Sequence, residues 1–333
     1  MSEVAARAGV GIGTVSRVLN GSQQVSPETR AKVMAAVEQL GYSTARASDK
    51  KASEQVGLIA VVIPDFGSSS SVLRLVGLVG ALRSRGAHAV IYPVNAPDEA
   101  RRALMELPKT KNLDGVIVMS LPLRGDEGER LASARFPVVL LDTWHPDLPR
   151  VTIDDVAGGR LSTQHLIDLG HTRIAFVGEP ARNPMWFVTS AQREEGFRDA
   201  LAKAGLERVP KYMRYGPHLR SAARQLGTEL LALATPPTAV VAASDTQAVG
   251  VLEAARTSGW SVPRDLSVIG YDDIDLAHLV GLTTIRQPLE TSGIRAAEIL
   301  LGALESGQKP QPFNDVLSLE LVVRTTTGTP PRK

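Results

Sequence analysis

The feature that most constrains the fold is a regular alternation of short apolar runs with helical stretches, which starts at Val56. The runs are rich in β-branched residues, as in "VGLIAVVI", "DGVIVMS", "RIAFVG" and "TAVVAASD". Helical apolar spacing marks stretches between them, such as 156–169, 190–204 and 246–258. Strands that alternate with helices form parallel sheets through βαβ units. Two such series follow each other, so we predict an α/β domain with two Rossmann-like lobes.

Polar residues stand at the ends of many of these strands. Ligands of open parallel sheets bind beyond the carboxyl ends of the strands, which makes these side chains candidate ligand contacts. The alternative that the aspartates only cap turns stays open. The residues are Asp65, Ser120, Asp142, Ser244, Asp245, Asp272 and Asp273.

The N-terminal segment carries three glycines, Gly9, Gly11 and Gly13, just before an apolar helical pattern. A dinucleotide-binding loop would need a preceding strand and another glycine at a set spacing, but "SEVAARA" is helical in character and position 14 is Thr14. The Gly-Lys-Ser/Thr ending of a Walker loop does not follow either. A helix-turn-helix explains the stretch better, because glycine at position 9 allows the positive φ of a tight turn.

A three-helix unit accounts for the rest of the first forty residues. In "VSRVL" the apolar residues recur at i, i+3 and i+4, so they form the buried face of a second helix. The opposite face, at the N-terminal end of this helix, is then free to enter the major groove of DNA. Ser26 followed by Pro27 predicts the start of a third helix, and Gly41 its end. The alternative that the segment is a helical cap on the larger domain stays open.

The charge distribution points to a polyanion as the partner of the N-terminal segment. Residues 1–51 hold seven lysines and arginines against four acids, whereas the remainder holds 30 basic and 31 acidic residues. Such a local excess is typical of nucleic-acid binding, although a solvated charged face would look the same.

Several classes of protein are disfavoured. The chain has no cysteine, which excludes disulfides, thiolate zinc sites and cysteine nucleophiles. We see no secretory signal and no run of 18 apolar residues, so we expect a cytoplasmic location and no membrane partner. The histidines lack metal-ligand spacing, and His165 and His171 are expected to be structural. Nothing pairs a nucleophile with a base, so we expect neither catalysis nor a cofactor.

The first 42 residues resemble the DNA-binding headpiece of the lac-repressor/galactose-repressor family of bacterial transcription regulators, especially in "TVSRVLNG", "VSPETRAKV" and "LGY". The resemblance implies base contacts by Ile12, Gly13 and Arg17. We expect Ile12 to meet a thymine methyl and Arg17 to pair with a guanine. The resemblance also implies that Thr14, Ser16 and Asn20 contact the sugar-phosphate backbone of the DNA or its surroundings.

Residues 43–55, "STARASDKKASEQ", are small and polar and read as a flexible linker. In the resembled family this region is a hinge helix whose leucine wedges into the minor groove. Here the wedge position falls near Lys51, which cannot wedge but can meet phosphate. Arg46 and Lys51 are therefore expected to contact DNA.

The resemblance continues through "DDVAGGRLSTQHLIDLGHTRIAFVG" and "PTAVVAASDTQAVGVLEAARTSGWSVPRDLSVIGYDDIDLA" into the effector-binding core of the same family, which has a periplasmic-binding-protein-type fold. It implies ligand contacts by Asp142, Arg193, Ser244 and Asp272. Ser69 lies in "GSSSS", where the family has an aromatic residue, and Trp186 or Phe187 could supply the missing aromatic wall. Purely structural roles for these residues stay open, such as a surface ion pair of Arg193 with a neighbouring glutamate on its helix.

The organisation that follows is a headpiece (1–42), a linker (43–55) and an effector-binding and dimerisation domain (56–329). Lobe 1 is expected to take 56–155 and 287–316, and lobe 2 to take 156–286 and 317–329. The last nine residues, "TTTGTPPRK", are expected to form a solvated tail.

The function implied is that of a transcription regulator, a repressor, whose affinity for a double-stranded DNA operator depends on a small effector bound between the lobes, a sugar or related metabolite. Two half-sites on DNA require a homodimer, and a tetramer is possible. Helix 72–85 is the candidate for part of the dimer face. A solute-binding protein and a sugar-processing enzyme are the alternatives, and neither explains the headpiece.

Overall fold

The computed structural model describes two compact units, Met1–Gly57 and Leu58–Lys333. The described residues are 1–19, 22, 24–40, 57–64, 67–183, 185 and 187–331. The predicted linker at 43–55 lies outside them. In the described part of the chain, no helix has the length and apolar character needed to cross a membrane.

The described residues of the first unit form three helices: α1 (Ser2–Ala8), α2 (Ile12–Leu19) and α3 (Pro27–Gln39). The chain turns after α1 at Gly9, whose φ of 65° is the left-handed conformation predicted for it. At the start of α3 the Ser26 hydroxyl accepts a hydrogen bond from the Thr29 amide at 3.3 Å, as expected of an N-cap.

Apolar side chains from all three helices make the core of this unit. Val4, Val15 and Val33 are fully buried at its centre. Arg30 adds a polar contact that the sequence patterns do not predict: its guanidinium donates to the carbonyl oxygens of Val18 and Ser22, at 3.4 and 2.5 Å. This contact ties α3 to the C-terminal end of α2.

The second unit alternates strands and helices along the chain. The strands are β1 (Leu58–Pro64), β2 (His88–Val94), β3 (Gly115–Met119), β4 (Val138–Leu141), β5 (Arg150–Thr152), β6 (Ile174–Gly178), β7 (Met213–Tyr215), β8 (Ala239–Ala242), β9 (Ser267–Asp272), β10 (Thr283–Arg286), β11 (Asn314–Val316) and β12 (Glu320–Val322). The α-helices are α4 (Ser69–Ser84), α5 (Pro97–Glu106), α6 (Glu127–Ala132), α7 (Asp155–Asp168), α8 (Thr189–Lys203), α9 (Arg220–Leu231), α10 (Asp245–Thr257), α11 (Asp275–Leu279) and α12 (Leu289–Ser306).

Two six-stranded sheets organise this unit into two lobes. Sheet 1 has the strand order β11-β5-β4-β3-β1-β2, and sheet 2 has the order β12-β10-β9-β8-β6-β7. All neighbours in sheet 1 are parallel, and in sheet 2 only the β10–β12 pair is antiparallel. The central strands are buried on both faces, which explains their near-continuous apolar sequences.

The chain crosses between the lobes three times. The crossings follow β5, β10 and β11, and each is only two or three residues long: 153–154, 287–288 and 317–319. We call these three connections the hinge, because short and separate connections between two lobes are typical of domains that open and close about a cleft.

Glycines allow helices to cross closely on both sheets. A Cβ on Gly293 of α12 would lie 2.0 Å from the Arg74 carbonyl oxygen of α4, and one on Gly77 of α4 would lie 2.1 Å from the Glu290 carbonyl oxygen. In lobe 2, a Cβ on Gly159 of α7 would lie 2.1 Å from the Arg193 carbonyl oxygen of α8. The same type of crossing therefore holds an arginine-bearing helix in each lobe.

The C-terminal segment corrects one prediction, because residues 325–331 do not form a solvated tail. Thr326 is buried, and its hydroxyl accepts from the Thr283 amide at 2.9 Å and donates to the Val268 carbonyl oxygen at 2.7 Å. Gly328 contacts the buried His171 ring, which also contacts Thr238. Threonine hydroxyls form hydrogen bonds with backbone N–H and C=O groups of sheet 2. A polar segment can therefore pack against this lobe.

Candidate functional site

A cavity of about 270 Å³ lies between the two lobes of the second unit. Its walls come from the carboxyl ends of strands in both sheets, where ligands of parallel α/β sheets bind. The strand-end residues that line it are Pro64, Val94, Asn95 and Ser120 from lobe 1 and Glu179, Ala243, Ser244 and Asp272 from lobe 2.

Three helices begin at this cavity and contribute small hydroxyl side chains to its lining. At the N-termini of α4, α8 and α10 the backbone N–H groups of the first turn point out of the helix and have no intrahelical acceptor, which makes these ends donor-rich. The hydroxyl residues that line the cavity are Ser68, Ser70 and Ser71 beside α4, Thr189 and Ser190 on α8, and Ser244 before α10. Ser244 also caps α10, since its hydroxyl accepts from the Gln247 amide at 3.2 Å. Hydroxyls that both donate and accept suit a hydroxyl-rich ligand.

Arg74 of α4 is the buried cation of lobe 1. Its side chain is 3.2 Å from Oδ2 of Asp142 and donates to Oε1 of Gln287 at 2.8 Å. Oδ2 of Asp142 also accepts from the Ser120 hydroxyl at 2.8 Å. Nε of Arg74 is buried and has no protein partner in the described part of the chain. Arg74 is thereby fixed in position in the lining of the cavity.

Arg193 of α8 is the buried cation of lobe 2. Its Nε donates to Oδ1 of Asp155 at 2.7 Å, and one terminal nitrogen donates to the Ala243 carbonyl oxygen at 2.6 Å. The same nitrogen lies 3.7 Å from Oδ1 of Asp272, and the guanidinium stacks 3.7 Å from the centre of the Tyr271 ring. Arg193 is therefore buried, and the alternative that it forms a surface ion pair with its sequence neighbours is wrong.

Gln287 joins the two buried cations across the hinge. Its Oε1 accepts from Arg74, and its Nε2 donates to Oδ1 of Asp272 at 2.5 Å. Because Asp272 lies beside Arg193, a continuous polar network runs from lobe 1 through the second crossing into lobe 2. Buried networks of this kind fix geometry, since each member leaves an unpaired group if it moves.

Burial is the largest influence on the pKa values of the buried aspartates near this cavity. It raises the pKa of Asp155 and of Asp272 above the usual range of aspartate, and the charge of Arg193 opposes the rise in each case. Burial, together with the charge of Asp272, raises the pKa of Asp245 to about 8. Burial alone would lower the pKa of Arg193, but the charges of Asp155, Tyr271 and Asp272 and the hydrogen bond to Asp155 together outweigh it and raise the pKa, so Arg193 stays charged.

Left-handed backbone occurs at the carboxyl ends of strands in both lobes. Among the described residues, the non-glycine residues with positive φ are Ser120 (53°), Asp142 (57°), Asp272 (120°) and Asp273 (61°). L-residues adopt this conformation at a cost of about 1–3 kcal/mol, and it clusters at ligand sites. Ser120 and Asp272 line the cavity, and Asp142 lines an adjoining part of the cleft.

The structure places three of the predicted ligand contacts, Arg193, Ser244 and Asp272, together in the lining of the cavity. Asp142 does not line this cavity; it acts on it through Arg74 and lines a neighbouring part of the cleft. Ser69 is exposed and does not line the cavity, whereas Ser68, Ser70 and Ser71 do, because successive residues of a helical turn point in different directions. Trp186 lies outside the described residues.

Sequence reasoning missed several polar residues of the lining, among them Arg74, Gln247 and Gln287. One signal could have found the first. Arg74 precedes Gly77 by three positions, as Arg193 precedes Gly196, so the two lobes repeat an Arg-x-x-Gly pattern on equivalent helices. Nε2 of Gln247 is a second buried donor that has no partner among the described residues.

The first unit presents the candidate nucleic-acid interface. On α2, Ile12 is 54% exposed, and Gly13 and Arg17 are also exposed, while Thr14 and Ser16 are half-buried. An exposed isoleucine at the start of a short helix is available for apolar contact with a base edge. Asn20, Arg46 and Lys51 lie outside the described residues.

Comparison with known proteins identifies the family. Residues 1–45 match the family model described as bacterial regulatory proteins of the lacI family, and residues 163–327 match a periplasmic binding protein-like domain. The chain is 35% identical over 332 residues to the HTH-type transcriptional regulator CelR of Thermobifida fusca, with 96% of each chain covered. It is 30% identical over 337 residues to the HTH-type transcriptional repressor CytR of Escherichia coli K12, covering 99% of this chain and 97% of that one.

The chain belongs to the lacI family of bacterial regulatory proteins. A solved CelR–cellobiose complex superposes with a TM-score of 0.71 at 33% identity, and a lac repressor dimer bound to operator and the anti-inducer ONPF superposes with a TM-score of 0.76 at 29% identity. Each match covers 98% of both chains. The predicted fold class and the predicted function of a DNA-binding transcription regulator are confirmed. This lacI-family chain thus combines a helix-turn-helix unit with a two-lobed ligand-binding unit.

Proposed function

We propose that the chain is a repressor that binds an operator as a homodimer and is controlled by an uncharged saccharide held in the cavity between its lobes. The observation that carries the proposal is the polar network from Arg74 through Gln287 and Asp272 to Arg193, because it places ligand-facing donors from both lobes around one cavity. Cellobiose, the ligand in the solved CelR complex, is a saccharide of this class.

The DNA contacts are assigned to the exposed face of α2. Ile12 and Arg17 read base edges, and Gly13 allows the helix backbone to approach the groove closely since it carries no side chain. Thr14 and Ser16 face the sugar-phosphate backbone. Asn20, Arg46 and Lys51, which lie outside the described residues, complete the proposed interface by contacting the sugar-phosphate backbone of the DNA.

The ligand contacts are assigned to both lobes. Ser68, Ser70 and Arg74 approach the ligand from lobe 1, and Arg193, Gln247 and Asp272 from lobe 2. The two arginines already face Asp142, Asp155 and Asp272 at short range, so their charge is balanced. An added phosphate or carboxylate would lack a free counter-charge, which favours a neutral ligand.

The coupling between ligand and operator follows from the hinge. A ligand that contacts both lobes stabilises the closed arrangement, and closure rotates the lobe to which the headpiece is joined in sequence. Linkage requires the operator to change ligand affinity by the same factor as the ligand changes operator affinity. A homodimer is proposed because two headpieces are needed to read two half-sites. Val72 and Val76 of α4 are exposed apolar residues for its interface.

The test combines operator selection with ligand titration. Purified protein selects duplexes from a pool of random sequence, and binding of the enriched duplex is measured by fluorescence anisotropy at several salt concentrations. We expect an inverted repeat, a strong salt dependence and a stoichiometry of two chains per duplex. A panel of neutral mono- and disaccharides and of sugar phosphates is then added. We expect a neutral saccharide to shift operator affinity at least about tenfold, which corresponds to a coupling of about 1.4 kcal/mol.

A matched pair of variants distinguishes an effect on ligand binding from a general effect on folding. Gln247→Met removes the buried donor in the cavity and keeps the side-chain length, whereas Gln225→Met makes the same change at an exposed position of α9. We expect the first to abolish the saccharide response without changing operator binding, and the second to change neither. Selection of no duplex, or a response to sugar phosphates alone, would overturn the proposal.

A further inference from the structure

The cleft between the lobes continues beyond the ligand cavity into a second space of about 390 Å³. The two spaces share Ser120, Phe187 and Thr189 in their walls, so they adjoin each other. The first space lies over the ends of β1, β2 and β3, and the second lies over the ends of β3, β4 and β5. A ligand longer than one sugar ring can therefore extend from the first space into the second.

Trp144 is the largest side chain in the wall of the second space, and it is 60% exposed. The Arg150 guanidinium carbon lies over one side of its ring, 5.8 Å from the centroid, within cation–π distance. From lobe 2, Val188 lines the same space and is 52% exposed. Two large apolar side chains thus remain in water on opposite sides of one cleft, an arrangement that costs free energy unless a ligand covers them.

Polar groups surround this apolar pair. Asp142 lines the space, and its described contacts with Ser120 and Arg74 are both made by Oδ2, so Oδ1 is left as an acceptor among the described residues. Gln192 of α8 and Asn314 of β11 lie in the same wall. Sugar rings combine an apolar C–H face with hydroxyls at the rim, which matches an aromatic platform bordered by amides and a carboxylate.

We propose that the second space is a saccharide subsite in which the second ring of an oligosaccharide stacks on Trp144 between the lobes. The inference rests on the proposed saccharide effector and adds the length of that effector: at least two rings. Because Val188 belongs to lobe 2 and Trp144 to lobe 1, the second ring also bridges the lobes, so the disaccharide stabilises closure more than a monosaccharide does.

The test measures the dependence of affinity on ligand length. Isothermal titration calorimetry of the full chain uses glucose, cellobiose, maltose and cytidine as probes, with wild type, Trp144→Ala and Trp144→Phe. We expect a disaccharide to bind at least about tenfold more tightly than glucose. Trp144→Ala should remove that advantage and leave glucose affinity within about twofold, and Trp144→Phe should keep most of it. Since Trp144 is largely exposed, thermal unfolding should show both variants folded.

The outcomes separate this inference from the proposed function. Glucose and disaccharides that bind equally well, or a disaccharide advantage that survives Trp144→Ala, would overturn the subsite and leave the saccharide effector standing. Cytidine binding that depends on Trp144, with no saccharide bound, would assign the platform to a nucleobase and overturn both. Failure of every saccharide and of cytidine to bind would also overturn both.

Discussion

Asp245 provides the most direct test of the electrostatics deduced for lobe 2. It is completely buried at the start of α10, where Oδ1 accepts from the Thr284 hydroxyl at 2.6 Å and Oδ2 accepts from the Ile274 amide at 3.0 Å. Burial and the charge of Asp272 raise its pKa to about 8, against about 3.9 for aspartate in an unfolded chain. At pH 7 the native state therefore holds a proton that the unfolded state has lost.

The sign of the pH dependence follows from this difference. The stabilisation from protonated Asp245 is fully present below about pH 4 and is lost as the pH rises toward 8, at about 1.4 kcal/mol per pH unit. Asp245→Asn cannot titrate and nearly preserves the volume. Its altered hydrogen bonds cost a fixed amount, about 1–3 kcal/mol, that does not vary with pH. Between pH 5 and pH 7 the free energy of unfolding of the variant should therefore rise by about 2.7 kcal/mol relative to wild type.

Urea unfolding at half-unit steps from pH 5 to pH 7 measures this slope, followed by the fluorescence of Trp260, which packs against the core of the same lobe. Asp168→Asn, at an exposed position of α7, controls for the loss of one carboxylate. A difference between Asp245→Asn and wild type that stays constant with pH, or that moves in favour of wild type as the pH rises, would show that Asp245 is ionised in the native state and refute the reasoning.

Three further substitutions test other parts of the molecule. Arg17→Ala should cost about 1–3 kcal/mol of operator binding and relax the preference at one base pair, as anisotropy on single-base variants of the selected operator will show; an equal loss on every sequence would make Arg17 a phosphate contact. Ser26→Ala removes the cap of α3 and should destabilise that helix by about 1 kcal/mol, seen as roughly fivefold faster amide exchange; unchanged exchange would rule the cap out. Gly293→Ala should lower the free energy of unfolding by about 1–3 kcal/mol, because the new methyl meets the α4 backbone, whereas Gly302→Ala on the same helix has open space and should not; equal effects would contradict the close crossing.

Local signals account for the features that sequence reasoning predicted well. The turn at Gly9 and the cap at Ser26 depend on a few neighbouring residues, and the buried strands depend on composition alone. The hydrogen bond between Arg74 and Gln287 joins residues 213 positions apart, so no local pattern reveals it. For the same reason the polar C-terminal segment looked solvated, although Thr326 bonds to groups near Thr283 that only the fold brings close.

The repeat of Arg-x-x-Gly in the two lobes explains why a hinge protein can respond to a small ligand. In each lobe a glycine crossing fixes the backbone of the arginine to a neighbouring helix, so Arg74 and Arg193 move as rigid parts of their own lobes. Gln287 and Asp272 connect the two across the crossing between β10 and α12. A change in the angle between the lobes must therefore rearrange buried, charge-assisted hydrogen bonds rather than stretch them slightly, which favours discrete arrangements over a continuum. The proposed ligand would bias that choice, because it would contact side chains of both lobes that line the cavity.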